Sequence, residues 1–183
     1  MKKVFITLVF MLLMLNTSMA QKTQVEVVKS INPSEDARPN NPEVPEVITQ
    51  SGSFERIVVV RLKNKTDILE ALNTAAKKEN IKDAVILSGA GSATGYHYHV
   101  VSNGEFPSKN YYIKNPDHPV DICNMSGFVI DGRVHAHITF SDDERAFGGH
   151  LEPGTNVFTF SVITIGVLGD DIDLSRADDK TYR

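Results

Sequence analysis

The chain has 183 residues, with 19 Lys and Arg against 23 Asp and Glu and a net charge of −4 when histidine is neutral. Proteins that grip a nucleic-acid backbone by charge are basic, so this balance, without a Lys/Arg-rich tail, argues against that class. Cys123 is the single cysteine, which excludes an intramolecular disulfide and any Cys₄ or Cys₂His₂ zinc site; its apolar neighbours Ile122 and Met125 favour packing over a nucleophilic role.

Residues 1–20 read MKKVFITLVFMLLMLNTSMA. Lys2-Lys3, the apolar run Val4 to Leu15 and the small-x-small Ser18-Met19-Ala20 make a secretory signal peptide, with Gln21 the first mature residue and a periplasmic or secreted location. The apolar run is shorter than the ~20 residues that cross a bilayer, so a membrane anchor is the weaker reading and no membrane span is expected after cleavage. Losing Lys2 and Lys3 leaves 17 basic against 23 acidic side chains, net −6. Residues 21–50 form a Pro-rich leader or linker with Pro33, Pro39, Pro42 and Pro45, extended where ordered; Val25 to Val28 is its one short edge-strand signal.

The folded domain is expected over 51–170, followed by a charged, loose tail at 171–183. Ile57 to Leu62 reads as a strand buried on both faces. Thr66 then looks like an N-cap, with Asp67 in the first turn and an apolar stripe of Ile68, Leu69, Leu72, Ala75 and Ala76 on a helix ending near Asn80. Ala84 to Leu87 is the next buried strand, ending in a loop of small residues, Ser88 to Ser92. That loop lacks the Lys-Ser/Thr of a phosphate loop, and no GxGxxG opens a helix after it, so close backbone packing explains its glycines better than nucleotide binding. Tyr96-His97-Tyr98-His99 alternates, with His97 and His99 on a face read as half-exposed and polar, although the pair competes for metal. His118 reads as a loop residue. Tyr111 to Ile113 and Val120 to Ile130 look like strands, Asp131-Gly132 a two-residue turn, and Val157 to Leu168 a long last strand. One main helix against six to eight mostly antiparallel strands makes an α+β domain with the helix packed on one sheet face. A single helix leaves apolar strand surface uncovered, so a homo-oligomer is predicted.

The stretch that organises the rest is Arg133 to Gly154, RVHAHITFSDDERAFGGHLEPG. Arg133 to Phe140 alternates strictly, with His135, His137 and Thr139 on one face and Val134, Ala136, Ile138 and Phe140 on the other. A reversal about Asp143-Glu144 sets Phe140 opposite Phe147, Ala136 opposite Leu151 and His137 opposite His150. Directly paired residues share a face, so His135, His137 and His150 cluster within reach of one ion at the ~2.0–2.1 Å zinc–nitrogen distance. Three histidines with a fourth position open is the pattern of catalytic zinc sites. A bulge at Gly148-Gly149 would instead send His150 to the opposite face.

From Ile57 to Leu168 the chain resembles the PPC (plants and prokaryotes conserved) domain, on Arg61-Leu62, the segment IKDAVILSGAG from Ile81 to Gly91, and above all the HAHITFSD…GGHLEPG block from His135 to Gly154. The resemblance implies a homotrimer of compact α+β subunits, similar in fold to acetolactate decarboxylases, with zinc or another divalent transition metal on His135, His137 and His150. It also implies the DNA-binding role given to bacterial members by analogy with plant AT-hook proteins, but this chain has no Arg-Gly-Arg-Pro hook, is acidic, and carries an export signal.

Two functions follow. The first is an exported metal-binding protein performing hydrolysis or a decarboxylase-like lyase step on a small molecule, with Glu55, Arg61 and Glu152 as the candidate acid, base or charge partners and turnover left open. The second is a trimeric binding module whose metal is structural or adventitious, the class to which the DNA-binding role belongs.

Overall fold

The computed structural model describes residues 22–176; residues 1–21, with the segment expected to be a signal peptide, and residues 177–183 of the expected charged tail lie outside them. In chain order the elements are β1 Gln24–Lys29, α1 Pro33–Asp36, β2 Phe54–Lys63, α2 Ile68–Lys78, β3 Ala84–Ala93, β4 Tyr96–Val101, β5 Lys109–Asn115, β6 Val120–Ile130, β7 Arg133–Ser141, β8 Ala146–Leu151, β9 Val157–Leu168 and a 3₁₀ turn Leu174–Arg176. The nine strands, one more than the largest number expected, form one sheet in the order β1-β5-β4-β8-β7-β6-β3-β9-β2. All eight neighbouring pairs are antiparallel. None of the helices among the described residues is long and apolar enough to cross a membrane.

Helix α2 buries Ile68, Leu72 and Ala76 at its predicted stripe and packs against β7 and β2. The strands answer with alternating inward residues, among them Met125, Ile138, Phe140, Leu151, Ile163 and Ile165, all at most 2% exposed. Each such side chain contributes roughly 1.5–3 kcal/mol by leaving water. The helix starts one residue later than its sequence suggests: Asp67, not Thr66, is the N-cap, and its carboxylate accepts the Glu70 N–H. Aspartate is a strong cap in its own right, and Thr66 is drawn into the chain reversal that pairs it with Val157.

Strand β2 is not buried on both faces. It is an edge strand bonded only to β9, with Val58, Val60 and Leu62 turned toward the core while Ile57 and Val59 are 53% and 65% exposed. The small-residue segment Ser88 to Ser92 is likewise no loop but the second half of β3, paired with β9 through two register shifts. Small residues are needed there because β3 and β9 approach closely: Gly91, at φ +152°, faces the Phe160 carbonyl and Ser161 where a Cβ would stand. Asp131 and Gly132 both have positive φ, 48° and 77°, and close the β6–β7 hairpin as a two-residue turn with Ile130 opposite Arg133. The leader supplies edge strand β1, paired with β5, and the four-residue helix α1. The start of the tail is anchored rather than loose: Leu174 is buried, and Gln50 bonds both backbone groups of Asp173.

Candidate metal centre

Strand β7 pairs with β8 without a bulge, and His137 stands opposite His150. Gly148 and Gly149 continue the ladder, opposite Thr139 and Ile138, so His150 stays on the face of His135 and His137. The three rings lie close together, with centroids 5.8 Å apart for His135–His137, 4.7 Å for His135–His150 and 5.5 Å for His137–His150.

Two further side chains join them. Strand β4 lies against the other side of β8 with His99 directly opposite His150, and the two rings stack at 4.4 Å. His99 is therefore no half-exposed surface residue; its side chain is 19% exposed and its Nδ1–H donates to Glu152 Oε1 at 2.6 Å. Glu152 follows His150 by two residues, so it emerges on the same face, and its Oε1 also lies 3.4 Å from His150 Nδ1. Among the described residues, the set whose ligating atoms all fall within 4.8 Å of one another is His99, His150 and Glu152. The other two acid-base candidates lie elsewhere: Glu55 pairs with Arg56, and Arg61 stacks over Phe160, both on the far edge strand β2. His97 points to the Pro153 carbonyl, and His118 pairs with Asp142 beside the β7–β8 turn.

The face continues toward β1 as one row of directly opposed residues: Glu26, Tyr112, His99, His150, His137 and Ser126, one from each of six adjacent strands. Tyr112 stacks on His99 at 4.8 Å. Burial, then the charges of Glu152 and Glu26, raise its pKa, so its phenol remains protonated.

At His150 and His137 the electrostatics favour the neutral imidazole, the form that ligates metals. Burial, then His99 and His135, push His150 down to about 4, against the upward pull of Glu152. His137 is also lowered, by burial first and then by His135 and His99. His150 Nδ1 is buried and has no hydrogen-bond partner, a costly state for a polar atom unless something accepts its lone pair or proton. Two donors bound to one tetrahedral ion at ~2.05 Å stand roughly 3.3 Å apart, close to the 3.4 Å between His150 Nδ1 and Glu152 Oε1. The donor set of His99, His150 and Glu152 therefore fits a metal ion.

Sequence reasoning held His99 only as a competitor for metal and read it as half-exposed, because its place depends on β4 lying beside β8, a pairing between segments about fifty residues apart. The HxH spacing of His97 and His99 was the available signal, and Glu152 was legible as two residues beyond His150.

Several known proteins share this arrangement of strands. The fold matches the metal-containing protein of Archaeoglobus fulgidus, 21% identical over 74% of this chain and 95% of that one, TM-score 0.58. It also matches a plant- and prokaryote-conserved protein of Pyrococcus horikoshii, 23% identical over 74% and 94%, TM-score 0.54. A third structure, from Ralstonia eutropha JMP134 and bearing a provisional DNA-binding label, is 25% identical over 63% and 80%, TM-score 0.50. The bifunctional protein GlmU of a Synechococcus strain is 26% identical over 119 residues; the match takes in 64% of this chain and only 18% of that protein's length. Residues 49–169 match the Plants and Prokaryotes Conserved (PCC) domain, and with well over half of its length so matched the chain belongs to that family.

Proposed function

We propose that this is an exported metalloprotein that holds one divalent transition metal, zinc by the chemistry of its donors, on His135, His137 and His150, with His99 and Glu152 completing the centre, and that it acts on a small oxygen-bearing molecule by a hydrolase or lyase step. The observation that carries the reading is the convergence of four imidazoles and one carboxylate on one sheet face, with His150 Nδ1 buried and unpartnered. When bound, such an ion supplies Lewis acidity toward a carbonyl or carboxyl oxygen. Beside it, Glu152 is the carboxylate that would take up and return a proton; its Oε1 accepts a hydrogen bond from His99 Nδ1–H at 2.6 Å, which holds the two side chains together. Tyr112 walls the site beside His99 and, with its phenol protonated, donates rather than accepts toward a ligand. Export is supported by the signal-peptide pattern of residues 1–20. A homotrimer is supported by the family resemblance and by the exposed apolar residues Ile57, Val59, Leu87, Phe128, Phe158 and Phe160, which need a cover.

The Ralstonia label favours a second reading, a trimeric scaffold that binds nucleic acid, against which the acidic balance of the chain weighs. Elemental analysis of protein dialysed against zinc and then buffer separates the two. About one ion per chain, lost in His150→Ala, supports the metalloprotein; a wild-type protein that retains none, or one that holds mixed-sequence duplex DNA at physiological salt, overturns it.

A further inference from the structure

His97 is outside the metal cluster, yet it is the residue around which the turn bearing Glu152 is built. Its backbone carbonyl accepts from Glu152 N at 3.1 Å and from Thr155 Oγ1 at 3.1 Å, while its own N–H donates to Thr155 Oγ1 at 3.0 Å. Its side chain adds a fourth tie, Nδ1–H to the Pro153 carbonyl at 2.7 Å. A carbonyl can only accept, so the proton is on Nδ1 and the ring is committed to the turn. The far side of the same turn is held by α2, where the Asp67 carboxylate accepts Gly154 N at 2.5 Å. Gly154 itself has φ +106°, a conformation that favours glycine and lets the chain reverse between these two anchors.

The consequence falls on Glu152. Its carboxylate reaches His99 Nδ1 at 2.6 Å and His150 Nδ1 at 3.4 Å, and the residue after it, Pro153, is the one His97 holds. We infer that His97 is a positioning residue of the metal centre: by holding the Pro153 carbonyl it sets where Glu152 stands and so how tightly the centre grips a cation. This rests on the metal reading above and adds to it a residue that never touches the ion. Groups one step removed from a metal typically change its affinity 10- to 100-fold.

The test measures cobalt(II) affinity by its visible spectrum, on the full mature chain, for wild type, His97→Ala, His97→Asn and Glu152→Ala. Asparagine places its Nδ2 donor where histidine has Nδ1, so it preserves the bond to Pro153. Expected are a loss of about 10-fold in His97→Ala, recovery to within about twofold of wild type in His97→Asn, and no further loss when His97→Ala is added to Glu152→Ala. Unchanged affinity in His97→Ala, failure of asparagine to restore it, or a penalty that persists undiminished beside Glu152→Ala overturns the inference and leaves the metal reading standing. A wild-type protein that takes up no cobalt overturns both.

Discussion

Acidifying the metal-free protein should weaken its fold in a window set by the histidine cluster. Folded His150 titrates near 4, against about 6.5 when unfolded. Between those values the unfolded chain binds a proton that the folded chain refuses, so stability is complete above about pH 6.5 and is lost progressively as the pH falls toward 4. His137 is displaced in the same direction, by burial first, and adds to the effect. The displacement of His150 sets a ceiling of about 3 kcal/mol, and the cluster's contact with solvent screens this to about 1–2 kcal/mol. For a domain of this size that lowers the melting temperature by about 3–8 °C. Differential scanning calorimetry of chelator-treated protein at pH 7 and pH 4.5 reads it directly. Asp142 is held below the ordinary carboxylate range by the Glu144 and Arg145 N–H groups and acts at still lower pH, so it does not obscure the effect. Equal or greater stability at pH 4.5, or a slope that His150→Ala leaves unchanged, would refute the reasoning.

Two substitutions probe the scaffold behind the site. Gly148→Ala drives a Cβ into the Ile138 carbonyl of the neighbouring strand, so β8 must move away from β7; a loss of about 1–3 kcal/mol in urea unfolding is expected, together with weakened metal retention, and wild-type values for both would show that the ladder is looser than its geometry states. Phe140→Ala empties a fully buried position among the rings of Tyr96, Tyr98 and Phe147; about 3–5 kcal/mol should be lost, and a loss below about 1 kcal/mol would mean that the core beneath the histidines is not closed.

What the sequence disclosed and what it hid divide along the range of the interactions. The β7–β8 hairpin was readable because strict alternation and a short reversal leave few registers that bury Phe140 and Phe147 together. The small-residue stretch of β3 was misread as a loop, although close backbone packing was the right reason for Gly91, which answers the approach of β9 seventy residues later. For β2 the β-branched run said strand correctly, but whether Ile57 and Val59 have a cover depends on the strand order, and β2 is at an edge. His99 was undervalued for the same reason: its neighbours in sequence describe an ordinary strand, and only the β4–β8 pairing brings it to His150 and Glu152.

The six-strand row of opposed residues has a bearing on persistence as well as chemistry. A cation gripped by His99, His150 and His137 would rivet three strands together across their ladders, tying chain segments that are remote in sequence. Unfolding would then have to rupture coordination before any one strand could peel away, so the ion should slow the escape from the native state as well as deepen it. Loading and endurance would then be one property, and a molecule stripped of such an ion would lose its protection against slow unravelling.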